Sequence, residues 1–222
     1  AILGNAGPTV VVTQPELADL TRSAAAGMDV AFLTVGDEYE HAVGSGSDRA
    51  PDAAHLHGGG QDALIQYTSG TTGRSKGATF THDAVLMHAA NVCLEYGIDG
   101  DSRVLISIPH NSSTNIQLIP ALYRGATVVL TDVRSFDGAR WSDTVNRLGV
   151  THSQVVPTML YRVLEHARSK GVQMPTMRML GYGSAPIPAD RVRELVDRFG
   201  DIFIQLYGMI QVAAMATMLR PE

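Results

Sequence analysis

The 222 residues carry 17 basic and 22 acidic side chains, a formal charge of −5, with 45% hydrophobic and 18% charged residues. That balance supports a buried core and excludes wholesale disorder. No long Lys/Arg run marks a nucleic-acid or anionic-membrane surface, and no apolar stretch is long enough to span a bilayer. The start has no basic leader and carries Asn5, Gly7 and Pro8, unlike a signal peptide. The single cysteine, Cys93, excludes an internal disulfide framework and fits a reducing compartment, with a cytoplasmic location as the expectation. It sits in an apolar helical run and reads as a small core residue.

Apolar β-branched runs alternate with helical patterns along the chain. Residues 9–13 predict a strand, and Pro15 opens a helix to about Ala26, stopped by Gly27. Residues 29–35 predict a second strand. The segment 36–60, with Gly44-Ser45-Gly46-Ser47 and Gly58-Gly59-Gly60, reads as a long loop or weakly ordered stretch. Strands follow at 62–67, 103–108, 126–131, 151–156, 178–181 and 202–206. Helices are predicted at 82–96, 115–122, 138–148, 158–169 and 189–199. Such alternation predicts an α/β fold with a mostly parallel sheet flanked by helices, and ligands beyond the carboxyl ends of the strands.

The densest chemical signal is Tyr67-Thr68-Ser69-Gly70-Thr71-Thr72-Gly73-Arg74-Ser75-Lys76-Gly77. Glycines let backbone N–H groups turn toward an anion, hydroxyls add uncharged donors, and Lys76 adds a mobile positive charge. Together they suit a polyphosphate. The order is not that of a Walker loop, which needs Gly-Lys-Ser/Thr after four intervening residues. The bland alternative is a flexible Ser/Thr/Gly linker.

This segment resembles the phosphate loop of the adenylate-forming (AMP-binding) superfamily, and the likeness runs over nearly the whole chain. Thr81-His82 resembles the Thr-His after that loop. His110-Asn111 resembles an aromatic/His segment beside the acyl pocket, and Leu122-Tyr123-Arg124-Gly125-Ala126 a helix–turn–strand step. Gly181-Tyr182-Gly183-Ser184-Ala185-Pro186 resembles the Gly-Gly-Ala-Pro turn, and Leu206-Tyr207-Gly208-Met209 the Tyr-Gly-Met-Thr-Glu segment. Within the superfamily the likeness is to the acyl-CoA synthetase type.

The resemblance implies ATP/AMP, Mg²⁺ and coenzyme A as cofactors and a small carboxylic acid as substrate, first a fatty acid, with cyclic or aryl acids behind. Thr68, Ser69, Gly70, Thr71, Thr72, Gly73 and Lys76 would hold phosphates. Gly183, Ser184, Ala185, Pro186, Tyr207, Gly208 and Met209 would border the adenosine. Lys76 and His110 would be catalytic, and Thr72 and Gln211 would face Mg²⁺. His110 and residues 112–118 would border the acyl group, with Ile116, Leu118 and Ile119 as apolar lining.

Two departures stand out. Ile210 replaces a threonine that donates to the α-phosphate, and Gln211 replaces a glutamate that helps hold Mg²⁺. Ser75 and Pro109 are lesser ones. The resemblance further implies sheet elements before Ala1. It places an aspartate for the ribose, a hinge and a C-terminal lid domain carrying the adenylation lysine beyond Glu222. The expectation is therefore a partial N-terminal AMP-binding domain, 1–222, inactive alone. The alternative is a non-catalytic nucleotide-binding remnant that acts through protein contacts.

The remaining candidates read as structural. His55-x-His57 has no third ligand at metal spacing. His82, His88 and His166 read as solvated or capping, and His152 as structural. Met174, Met177 and Met179 read as core. Arg191, Arg193, Glu194, Asp197 and Arg198 read as a solvated helix face. If covering elements are absent, 9–13 and 202–206 would be exposed and drive two-fold self-association, a homodimer.

Overall fold

In the computed structural model, which describes residues 1–49, 58–68, 75–109, 114–132, 134–213 and 215–220, the chain divides into two units, 1–79 and 80–222. In the first, helix α1 (Ile2–Ala6) precedes strand β1 (Val10–Thr13). Pro15 fits the first turn of a short 3₁₀ segment, Pro15–Leu17, which leads into α2 (Ala18–Ala24). β1 pairs in parallel with β2 (Ala31–Thr34), Val10 opposite Ala31.

The expected loop from residue 36 is overturned at its start, where α3 spans Asp37–Gly44. Its first turn carries Asp37, Glu38 and Glu40, charges that a helix N-terminus favours. The Glu38 carboxylate also accepts from the Thr34 amide at 2.9 Å. These contacts outweigh the glycine-rich sequence after it.

β3 (Asp62–Thr68) and β4 (Lys76–Thr81) form a separate two-stranded sheet. β4 was not expected, because the lysine and glycine that open it belong to the phosphate-loop motif. On β1 only alternate residues of the run expected to be exposed are so: Val10 and Val12 are 49% and 53% exposed, while Val11 and Thr13 are buried.

In the second unit, the Thr81 hydroxyl accepts from the Ala84 amide and starts α4 (His82–Tyr96). β5 (Arg103–Ile106) follows. The helix expected at 115–122 is a π-helical turn, Thr114–Leu118, running into α5 (Ile119–Arg124), with Pro120 in its first turn. Then come β6 (Thr127–Leu130), α6 (Gly138–Leu148), β7 (His152–Val155), α7 (Pro157–Lys170), β8 (Met179–Tyr182), α8 (Ala189–Phe199) and β9 (Phe203–Tyr207). A 3₁₀ turn, Ile210–Val212, leads to β10 (Thr217–Leu219).

Six strands lie in the order β10-β9-β8-β7-β5-β6, parallel except for β10. The two-residue period of strands divides the core between the faces. Leu105, Val155, Leu180 and Phe203 pack against Val145, Leu160 and Leu195 of α6, α7 and α8. Val104, Ile106 and Ile204 pack against Val92, Cys93 and Ala121 of α4 and α5. The chain runs outward from β5 to β6 and returns to the other side of β5 as β7. The strand order therefore reverses between β5 and β7, the position where open α/β sheets bind ligands.

Several expectations need correction. The 202–206 run is not exposed: Phe203, Ile204 and Leu206 are buried, and β10 pairs along the outer edge of β9. His88 is not simply solvated, for its Nε2 is buried without a hydrogen-bond partner among the described residues and burial lowers its pKa. Arg198 leaves the solvated face: its Nη2 donates to the carbonyls of Ala167 and Val172 at 3.1 and 3.3 Å. Cys93 is buried, donating to the Pro120 carbonyl, and burial raises its thiol pKa. Met174 and Met177 are core, while Met179 is half-buried. His55 and His57 lie outside the described residues.

Candidate functional site

β7 is paired on both edges and buried along its whole length, a setting that normally selects apolar residues. Yet His152, Ser153 and Gln154 are all polar. His152 is held on both nitrogens, its Nε2 2.9 Å from the Tyr96 carbonyl and its Nδ1 2.7 Å from the Thr151 hydroxyl. A carbonyl only accepts, so Nε2 carries the proton and the Thr151 hydroxyl donates to Nδ1. Burial lowers the His152 pKa, favouring this neutral ring.

Ser153 donates to the Leu105 carbonyl at 2.8 Å and meets the Ser107 hydroxyl at 2.9 Å. Ser107 in turn accepts from the Trp141 indole N–H at 2.7 Å. Gln154 is 4% exposed, and its Oε1 has no hydrogen-bond partner among the described residues.

Gln154 lines a cavity of about 210 Å³ together with Ile108, Ile116, Gly183, Leu206 and Ile210, and with Ser184, Gly208 and Met209 at its rim. Apart from Ile116, on the π-helical turn Thr114–Leu118, these residues lie at or just past the carboxyl ends of β5, β7, β8 and β9. Two backbone features shape the cavity. A Cβ on Gly183 would sit 2.7 Å from the Leu206 carbonyl oxygen, so only glycine lets the end of β8 approach β9 this closely. Ser184 adopts φ 69, a left-handed conformation that costs a non-glycine residue about 1–2 kcal/mol. Held strain of this kind clusters at ligand sites.

Of the residues singled out by sequence, Gly183, Ser184, Gly208 and Met209 meet at this one cavity. Ala185 and Pro186 follow on the exposed turn, and Tyr207 is an exposed aromatic at the end of β9. Ile116 lines the cavity, whereas Leu118 and Ile119 are not among its walls. Thr68 ends β3, and Lys76 is the exposed first residue of β4. Ser69, Gly70, Thr71, Thr72, Gly73 and His110 lie outside the described residues.

Gln211 is exposed in the 3₁₀ turn Ile210–Val212. Among the described residues no group of three His, Cys, Asp or Glu could hold a metal ion. A neutral amide oxygen does not make the anionic set that a hard dication takes, so the described residues do not fit a protein-held Mg²⁺. The sequence reading missed Gln154, Ile108 and the wall role of Ile210. The signal for Gln154 was a polar side chain inside an otherwise apolar central strand.

The family profile described as "AMP-binding enzyme" matches residues 1–222. This chain belongs to the AMP-binding enzyme family. Feruloyl-CoA synthase of Amycolatopsis sp is 33% identical over 214 residues, covering 95% of this chain and 41% of that protein. Indoleacetate–CoA ligase of Aromatoleum aromaticum is 29% identical, covering 99% of this chain and 44% of the relative. The crystal structure of ATP-bound MatB from Rhodopseudomonas palustris superposes with a TM-score of 0.84 at 26% identity, covering all of this chain and 44% of that one. The AMP-binding chain thus spans less than half the length of these relatives. No helix among its described residues is long and apolar enough to cross a membrane.

Proposed function

We infer that this chain forms the adenosine- and acyl-binding part of an AMP-forming acid–thiol ligase. A carboxylate oxygen attacks the α-phosphorus of ATP, the bond to the bridging oxygen breaks, and pyrophosphate leaves. The thiol of coenzyme A then attacks the acyl carbon, the bond to AMP breaks, and the thiol proton passes to solvent. The observation that carries this reading is the cavity at the carboxyl ends of β7, β8 and β9, bordered by the 183–184 and 208–209 segments.

Backbone groups and small side chains at Gly183, Ser184 and Gly208 admit a flat base, and exposed Tyr207 offers it a ring face. Ile108, Ile116 and Leu206 suit the apolar body of an acid. Thr68, Ser69, Gly70, Thr71, Thr72, Gly73 and Lys76 are proposed to hold the β- and γ-phosphates by backbone, hydroxyl and ammonium donors. His110 is proposed beside the acyl group. Ile210 supplies no donor to the α-phosphate, so adenylation by this polypeptide is slow. Mg²⁺ would arrive on the nucleotide phosphates rather than in a cage of carboxylates.

The acid is fatty or aryl, the latter favoured by the names of the two relatives above. We further propose a two-fold dimer through β1, whose exposed Val10 and Val12 lie on a strand paired only with β2 among the described residues.

A non-hydrolysable acyl-adenylate mimic, an acyl-sulfamoyl adenosine, tests the assignment without requiring turnover. It spans both halves of the proposed site, so it should bind at least about tenfold more tightly than AMP. Equal affinities would point instead to a protein that binds nucleotide and activates no acid.

A further inference from the structure

Resting on the ligase reading above, we propose that Gln154 selects an acyl group carrying a hydrogen-bond donor, a hydroxyl above all. Among the polar residues of β7, His152 and Ser153 are fully engaged within the fold. Gln154 shares the α4/α5 face of the sheet with His152, yet its Oε1 is buried with nothing to accept from among the described residues. Leaving such a group unpaired forfeits its hydration without a compensating hydrogen bond. A leucine or methionine of similar volume would avoid that cost, so packing alone does not account for a glutamine here.

Among the described residues, the side chains that line the cavity with Gln154 include the apolar Ile108, Ile116, Leu206 and Ile210. An amide set among aliphatic side chains suits a specificity pocket, where a placed polar group reads a polar group of the ligand. A hydroxyl is the best match because it donates to Oε1 and can also accept from the amide nitrogen beside it. Discrimination arises because an acyl group without a donor leaves the amide oxygen desolvated and unpaired.

The test uses the 222-residue chain and three sulfamoyl adenosine conjugates, of 4-hydroxycinnamic, 4-methoxycinnamic and cinnamic acid, with unacylated sulfamoyl adenosine as the baseline. The hydroxy conjugate should bind about tenfold more tightly than the other two. In Gln154→Leu that preference should vanish, while affinity for the cinnamoyl conjugate is kept or improved. Three conjugates that bind alike, all above the baseline, would overturn the role of Gln154 and leave the ligase reading standing. A preference for the hydroxyl that survives in Gln154→Leu would also overturn it. Conjugates no tighter than the baseline would overturn the ligase reading and this inference with it. The comparison of hydroxy with methoxy is made in the unsubstituted chain, so it decides the question even if the variant fails to fold.

Discussion

Gly181 lies opposite Gln154 in the β7–β8 register and directly over Tyr96. A Cβ added there would overlap the Tyr96 hydroxyl and lie 3.0 Å from the ring carbon that bears it. Tyr96 is 4% exposed, its hydroxyl has no partner among the described residues, and burial pushes its pKa well above the usual range for a phenol. Gly181→Ala should therefore destabilise by about 1–3 kcal/mol, the usual cost of overpacking a tight core. Tyr96→Phe removes an unsatisfied hydroxyl and should be neutral or stabilising by up to about 1 kcal/mol.

Combined, the two changes should couple. Without the hydroxyl the added methyl meets only a close ring contact, so the double variant should recover about 1 kcal/mol or more of the loss. Urea unfolding followed by circular dichroism on the four proteins gives the cycle, read from midpoints at constant slope. Strict additivity, or a Gly181→Ala variant as stable as the parent, would refute this packing account.

Lowered His152 and His88 pKa values mean that the unfolded chain takes up protons more readily than the folded one as acid is added. Stability should be fully present above about pH 6.5 and fall as pH drops below it, and His152→Gln should flatten part of that slope in a pH series of urea midpoints. Asp132, held at about 2 by Arg134, together with Asp99 and Glu194, which hydrogen bonds lower, adds a further loss only in stronger acid. Acid-dependent pyrophosphate release should stay below about 1 s⁻¹, because Ile210 and Gln211 stand where a donor and a carboxylate belong; turnover at ordinary enzyme rates would show those losses to be misjudged. Light scattering over a concentration series should report a dimer, weakened by Val10→Lys; a 23.7 kDa species throughout would reject the β1 contact.

Much of this was readable from residues alone. The second unit follows its hydrophobic periods closely, since a parallel sheet buried on both faces leaves little freedom in where apolar strands and amphipathic helices lie. Helix α3 was hidden because glycines at 44 and 46 dominate the local impression, while the favourable acids at its start act through the helix terminus. β10 was hidden because its three residues, Thr217, Met218 and Leu219, gain strand character only from pairing with β9. The candidate cavity was half legible. Motif order singled out the 183–186 turn and the 207–209 segment, of which Gly183, Ser184, Gly208 and Met209 border it, but Gln154 carries no motif, and its interest arises from burial without a partner among the described residues, which only the three-dimensional arrangement reveals.

The central claim is that adenosine binds at the carboxyl ends of β8 and β9. Amide chemical-shift mapping of the 222-residue chain during an ATP titration tests it most directly. The account predicts that the largest shifts fall on Gly183, Ser184, Ala185, Tyr207, Gly208 and Met209, joined by residues 68–77. Shifts confined to the cleft between α6 and α7, around Gly138, Arg162 and Glu165, would contradict it, as would a spectrum unchanged at millimolar ATP.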